Sequence, residues 1–321
     1  MNKIRVGVLR GGAGHTYHES LNTGLEVLRN LPEKKYDPVD ILVTKDGQWY
    51  TGGLPTTLQK LSRKVDVMFN ALHGEYGEDG KVQRELESWK IPYTGSKVFG
   101  SALGAHRAFA REHLRQAGLK VPRGRWIRRE DMDEYRDKSN APLCFEIFRE
   151  LTPPWTVKPV FSGSPFPAVV ARSFPDLQAA LASAIEADMP VIVEEHVRGT
   201  EAVCVVADGF RGEDTYTFLP LEIQYRKQGD STEVREIIPG RFSRVESAFL
   251  QEAARRVHRT LGLRHYSRSD FTVTPRGIYA LHATALPALG KESPISHALG
   301  VVGSSLPEFL DHVVGLAVAR K

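Results

Sequence analysis

His73-Gly74-Glu75-Tyr76-Gly77-Glu78-Asp79-Gly80-Lys81-Val82-Gln83 is the stretch on which the reading of this chain turns. It follows residues 65–72, Val-Asp-Val-Met-Phe-Asn-Ala-Leu, which are nearly continuous in apolar side chains, as buried parallel strands are. A helix is expected to begin inside it and run over 80–89. Ligands of open α/β sheets sit beyond the carboxyl ends of strands. Amide groups at a helix start attract anions, and the three glycines allow sharp turns and close approach. A turn leading into a capped helix is the plainer alternative.

The pattern extends in both directions. Upstream, Ile4, Val6 and Val8 alternate with other residues and lead into Gly11-Gly12-Ala13-Gly14, a strand ending in a glycine-rich turn. A helix over 20–31 and a strand over 39–43 follow. Strand alternating with helix predicts a parallel sheet with helices on its faces. Downstream, a helix over 105–117 stops at Gly118, with Pro122 shortly after. A strand over 154–159 enters Ser162-Gly163-Ser164-Pro165-Phe166-Pro167, and a helix over 176–186 comes next. Further strands are expected over 191–195, 202–206 and 218–223, then a helix over 245–261 ending at Gly262. Strands over 269–274 and 278–283 flank the Pro275-Arg276-Gly277 turn, and a last helix spans 306–319. The layout is one α/β subdomain followed by two mixed α+β pieces.

Bulk composition narrows the class. A chain of 321 residues with 41% hydrophobic and 26% charged residues is an ordinary globular one. The formal net charge is only +4. Its densest basic cluster, Arg123, Arg125, Arg128 and Arg129, reads as a solvated face or a neighbour of an anionic ligand, not as a nucleic-acid footprint. Cys144 and Cys204, the two cysteines, stand among apolar residues, which fits a reducing compartment. With no apolar signal region and no run long enough to span a bilayer, a cytoplasmic protein without membrane contact is expected. A dinucleotide-dependent oxidoreductase is set aside, because the Gly11–Gly14 turn is not part of a G-x-G-x-x-G with an acid downstream.

The segment 73–83, with Leu86-Glu87, Ile91-Pro92-Tyr93-Thr94-Gly95-Ser96 and Ser101-Ala102-Leu103, closely resembles the N-terminal half of D-alanine–D-alanine ligases. Those are ATP-grasp enzymes that join two D-alanines for peptidoglycan. Further likenesses follow in order: Gly11-Gly12 with Ser20-Leu21-Asn22-Thr23-Gly24, Val157-Lys158-Pro159, Glu194-Glu195 with Gly199 and Glu201, Arg268-Ser269-Asp270-Phe271, and Leu286-Pro287. The resemblance implies an α/β ATP-grasp fold with a Rossmann-like N-terminal subdomain over 1–98, a central subdomain over 99–192 and a C-terminal one over 193–321. It implies ATP as cofactor, a small amino-acid substrate such as D-alanine, and a homodimer. In the family's reaction ATP phosphorylates one carboxylate, and a second amine attacks the acyl phosphate; positioning and charge neutralisation do most of the work.

By the same resemblance, Lys158 and Arg107 would meet the phosphates, with Arg107 standing where the family has a lysine. Glu194 would accept from the adenine amino group and Glu201 from the ribose hydroxyls, with Glu195 beside them. Gly163 and Ser164 belong to the phosphate loop. Arg268 would stabilise the tetrahedral oxyanion, Ser293 would bind the second carboxylate, and His73 would sit near the first.

The departures cluster. Magnesium or manganese would be held by Asp270, but His282 and Thr284 stand where a Glu and an Asn are expected. Magnesium requires hard oxygen donors, which imidazole is not. Pro165 and Pro167 each delete an amide donor from the phosphate loop, and Phe166 adds bulk. Thr16 replaces the acidic anchor of the first amine, and Ala288 follows Pro287 where glycine is expected. The loop that lids the family's site has no clear counterpart beyond residues 223–227, and the region looks shortened. His15, His18 and Glu19 lie on one loop, and two histidines so spaced are expected by chance more than as a metal site. The sequence therefore predicts a ligase scaffold with impaired or altered chemistry; the alternatives are an ordinary active ligase and a nucleotide- or peptide-binding or regulatory module.

Overall fold

The computed structural model describes residues 2–136, 139–228 and 231–319, and of the segment 226–233 its backbone alone where described. Three sheets follow one another along the chain. The first holds β1 (Ile4–Gly11), β2 (Tyr36–Val43), β3 (Trp49–Thr51), β4 (Leu54–Pro55) and β5 (Val67–Asn70), in the order β4-β3-β2-β1-β5. The parallel sheet predicted from the alternation exists in β2-β1-β5. The antiparallel β3 and β4 extend its edge, unforeseen because neither exceeds three residues. Helices α1 (Tyr17–Asn30) and α2 (Leu58–Leu61) connect strands of this sheet, and α3 (Lys81–Ser88) follows β5. Expected and observed ends differ by a few residues, as helix and strand ends do.

The predicted helix 105–117 is α5 (Arg107–Gln116), and it is preceded by an unforeseen helix, α4 (Val98–Ala105). His106 separates them with extended backbone, and its Nδ1 accepts from the Phe109 amide at 3.3 Å, capping α5. Its ring also stacks on Phe109, 4.0 Å between centroids. The apolar α4 shows no amphipathic period because even its exposed positions, Phe99 and Ala102, are apolar; on its buried side a Cβ on Gly100 would meet the Gly262 carbonyl at 2.4 Å.

The second sheet contains β6 (Gly124–Ile127), β7 (Trp155–Pro159), β8 (Val169–Ala171) and β9 (Val191–Glu195), antiparallel in the order β6-β9-β7-β8. Helices α6 (Arg129–Asp133), α7 (Ala141–Glu150) and α8 (Phe174–Glu186) accompany it, and its core joins Trp155, Val157 and Val193 to Ile147 and Leu177. Half of the basic cluster is paired with acids here. Arg125 meets Glu146 at 2.9 Å and Glu150 at 3.1 Å, Arg129 pairs with Asp188, and Arg128 lies over the Trp126 ring.

The third sheet is built from β10 (Thr200–Asp208), β11 (Thr215–Thr217), β12 (Leu221–Gln228), β13 (Ser231–Ile237), β14 (Tyr266–Thr274) and β15 (Gly277–Thr284), in the order β13-β12-β10-β14-β15 with β11 on β10. Helix α9 (Arg244–Thr260) covers one face, packing Leu250, Ala254 and Val257 on Cys204 and Phe271. Helices α10 (Pro294–Val301) and α11 (Leu306–Val318) tie the third sheet to the first, because Phe309 and Val313 share one core with Val6, Phe69 and Tyr266. Among the described residues no single helix is long and apolar enough to cross a membrane.

Candidate active site

Two sequence features place the chemistry: the loop after β5 and the facing side chains of β14 and β15. The loop is fixed by its own backbone. Asn70 Nδ2 and Gln83 Nε2 both donate to the Gly77 carbonyl, at 2.9 and 2.7 Å, while Asn70 Oδ1 accepts from the Leu72 amide. Gly77 is obligatory, since a Cβ there would lie 1.7 Å from the Leu72 oxygen. Gly80 enters α3 at φ +90°, a region open to glycine and strained for other residues.

His73 is thereby buried with both ring nitrogens near partners. Nε2 lies 2.8 Å from Thr23 Oγ1, and Nδ1 lies 3.5 Å from Glu78 Oε1. Burial opposes charge on the ring, but Glu78 outweighs it, and the His73 pKa is raised. Glu78 Oε1 also accepts from the Gly74 amide at 3.0 Å. Thr16, at the expected acidic anchor, has a structural task instead: its Oγ1 donates to the His73 carbonyl at 2.6 Å.

On the strand side, cross-strand pairing puts Arg268 opposite Thr284 and Asp270 opposite His282. Alternate residues of a strand share a face. Arg268 Nε donates to Asp270 Oδ1 at 2.8 Å. The His282 pKa is held well below its usual value, first by burial and then by the charges of Arg107, Lys158 and Arg268. Its Nε2 lies 3.2 Å from Thr284 Oγ1. A cavity of about 130 Å³ joins the two sides, lined by His73 and Glu78 from the loop, Glu19 from α1, and Arg268, Thr284 and Ala288.

Lys158 on β7 reaches into the cleft between the second and third sheets. Its Nζ meets Glu194 Oε2 at 2.7 Å and donates to the Leu281 carbonyl at 3.3 Å. Lys158 pairs with Ile192 across the ladder, and Glu194 is two residues on along β9, so both face the same way. Arg107, at the start of α5, donates through Nη1 to the Pro159 and Phe161 carbonyls at 2.8 and 3.0 Å. Glu201 accepts from the Tyr225 hydroxyl at 2.8 Å; burial, with Glu201 adding, pushes that phenol up to about 12. Glu195 is set apart from the cleft cluster, its Oε1 accepting from the Arg123 amide at 2.9 Å. Ser293 caps α10, its Oγ accepting from the Ser296 amide at 3.2 Å.

The loop after β7 is folded onto the loop after β5. Gly163 takes φ +72°, and a Cβ there would meet Gly74 Cα at 2.6 Å. Ser164 Oγ accepts from the Phe166 amide at 3.2 Å, so the one amide donor left between Pro165 and Pro167 is already satisfied. A second cavity, about 500 Å³, lies against this contact, with His15, Lys81 and Phe161 in its wall.

Glu78 and Arg111 escape the sequence reading, and Glu19 is read there only beside His15 and His18. Glu78 stands inside the quoted segment, but its burial against His73 is a tertiary fact. Glu19 lies one turn beyond Thr16. Arg111 Nε lies 4.0 Å from Glu194, and its spacing of four from Arg107 on one helix is the signal that could have marked it. The stretch expected nearest to a lid, residues 223–227, falls in the hairpin of β12 and β13. Tyr225 ties one strand to Glu201, and Glu236 Oε2 lies 2.7 Å from His297 Nδ1 on α10. The side chains of Arg226 and Lys227, part of the stretch named for that role, lie outside the described residues.

These residues do not fit magnesium. Asp270 is engaged by a guanidinium, the facing positions offer an imidazole and a hydroxyl, and three cations surround them. Among the described residues no three His, Cys, Asp or Glu side chains converge as metal ligands, His15, His18 and Glu19 included.

The model of the D-ala D-ala ligase C-terminus matches residues 113–315, and that of the N-terminus matches residues 53–96. The chain belongs to the D-alanine–D-alanine ligase family. It is 31% identical to a D-alanine–D-alanine ligase of Syntrophobacter fumaroxidans, over 98% of both chains. It is 28% identical to the vancomycin B-type resistance protein VanB of Enterococcus faecalis, over the full length of each. Among solved structures, the VanG D-Ala:D-Ser ligase of Enterococcus faecalis superposes with a TM-score of 0.85, at 26% identity, covering 98% of this chain and 100% of that one. The three sheets are those of an ATP-grasp fold.

Proposed function

We propose that this chain is a ligase-family protein that binds ATP and a small amino acid but is impaired in D-alanine–D-alanine ligation. The single observation that carries the reading is the Arg268–Asp270 pair facing His282, where the reaction needs a metal-binding carboxylate pair. Losing metal stabilisation of phosphoryl transfer costs several kcal/mol of transition-state energy. The pocket side supports retained binding. Arg268 suits a carboxylate, while Glu19 and Glu78 supply the negative charge that an ammonium requires and Thr16 does not. Lys158 and Arg107 would take the phosphates, and Glu194 and Glu201 the base and ribose, once Lys158 and Tyr225 release them. This reading implies a cytoplasmic homodimer acting on a small molecule, without nucleic acid or membrane.

Phosphate release from ATP by the purified protein, with D-alanine and magnesium or manganese, tests it. Release at least about 100-fold below the ~10 s⁻¹ typical of enzymes is expected. Rapid D-alanine-dependent release would overturn the proposal and make this an active ligase. The double substitution His282→Glu with Thr284→Asn should increase release in magnesium.

A further inference from the structure

The cleft that lacks a metal-binding set is rich in cations. Arg107, Arg111, Lys158 and Arg268 converge on it, against the carboxylates of Asp270 and Glu194, each already paired. A divalent ion in a phosphate site offsets charge on two sides, the ligand's and that of the carboxylates holding the ion. Imidazole at His282 carries no negative charge in either protonation state, so half of that need has gone. The cations retain capacity. Lys158 has three donors and uses two, on Glu194 and the Leu281 carbonyl. Arg107 has five, and its bonds to Pro159 and Phe161 come from Nη1 alone. Arg268 spends its Nε on Asp270.

We propose that this cleft binds the phosphate chain of a nucleotide directly through Arg107, Lys158 and Arg268, without a divalent cation. The inference rests on the nucleotide-binding part of the proposed function and specifies how that binding is achieved. Guanidinium groups match phosphate oxygens in pairs, and in a water-poor cleft they are strong counter-charges.

Calorimetric titration of ATP into the full chain, once in excess EDTA and once in excess magnesium, tests it. The dissociation constants are expected to agree within about threefold. His282→Glu should weaken binding in EDTA by about tenfold or more, and magnesium should restore part of it. His282→Gln, which adds no charge, should bind as the parent does in both buffers, separating charge from loss of fold. Binding in magnesium alone would overturn the inference while leaving the nucleotide reading intact. Binding in neither buffer would sink both.

Discussion

The loop after β5 and the strand pair β14–β15 face each other across one small cavity, but they are constrained to different degrees. In the loop, the residues that shape the pocket also build the fold. Asn70 and Gln83 hold the Gly77 carbonyl, Gly77 has no room for a Cβ, and His73 is buried between Thr23 and Glu78. On β14 and β15 the backbone is held by the ladder whichever side chains it carries, and Arg268, Asp270, His282 and Thr284 are only partly buried. A side chain there can change without moving a strand. The proposed change of function thus falls where the fold is indifferent to side-chain identity, whereas in the loop fold and pocket use the same atoms.

The widest expected difference is at Gly77. Gly77→Ala brings a methyl group to 1.7 Å from the Leu72 oxygen, so the loop or the end of β5 must move. Overpacking of this severity should cost about 3 kcal/mol or more. Urea denaturation measures it; a loss below about 1 kcal/mol would mean the loop is as free as the strands.

The two histidines sharpen the contrast through pH, with opposite signs. His73 has a raised pKa: burial resists its charge, but Glu78 overcomes this. Its contribution is fully present below the unfolded value of about 6.5 and is lost as pH rises through the folded one. His282 has a lowered pKa from burial and three cations. The unfolded chain then binds the extra proton, so stability falls as pH drops below about 6.5. Each slope is at most about 1.4 kcal/mol per pH unit. Relative to His73→Gln, the parent should lose stability on going alkaline; relative to His282→Gln, it should lose stability on going acid. Denaturation midpoints of the three proteins between pH 5 and about 8 check this, and parallel curves would remove the distinction between the two sites.

What the sequence made legible follows the same division. The parallel strands, α3 and the loop between could be read because buried strands, glycines and caps leave marks in residue type. His282 and Thr284 drew notice only through the resemblance to the family, which compares residue types and not contacts. Pairing could not be read. That Asp270 is engaged by Arg268, that Lys158 has closed on Glu194, and that Glu78 rather than Thr16 presents charge near His73 are matters of tertiary distance. Helix α4 was hidden because even its exposed positions, Phe99 and Ala102, are apolar, which leaves no amphipathic period.

The smallest expected effect is the most informative about the strand pair. Asp270→Asn removes the charge from the one expected metal ligand this chain retains. If β14–β15 carries its side chains as passengers of the ladder, only the ion pair with Arg268 is lost. Both partners are about a third exposed, where such pairs contribute less than about 1 kcal/mol. Urea denaturation should therefore barely distinguish the variant, and Arg268, released from its partner, should strengthen ATP binding in EDTA. A loss beyond about 2 kcal/mol would show that Asp270 and Arg268 are as tied to the fold as the loop is. The retention of Asp270 would then report on folding, and the case for divergence would rest on His282 and Thr284 alone.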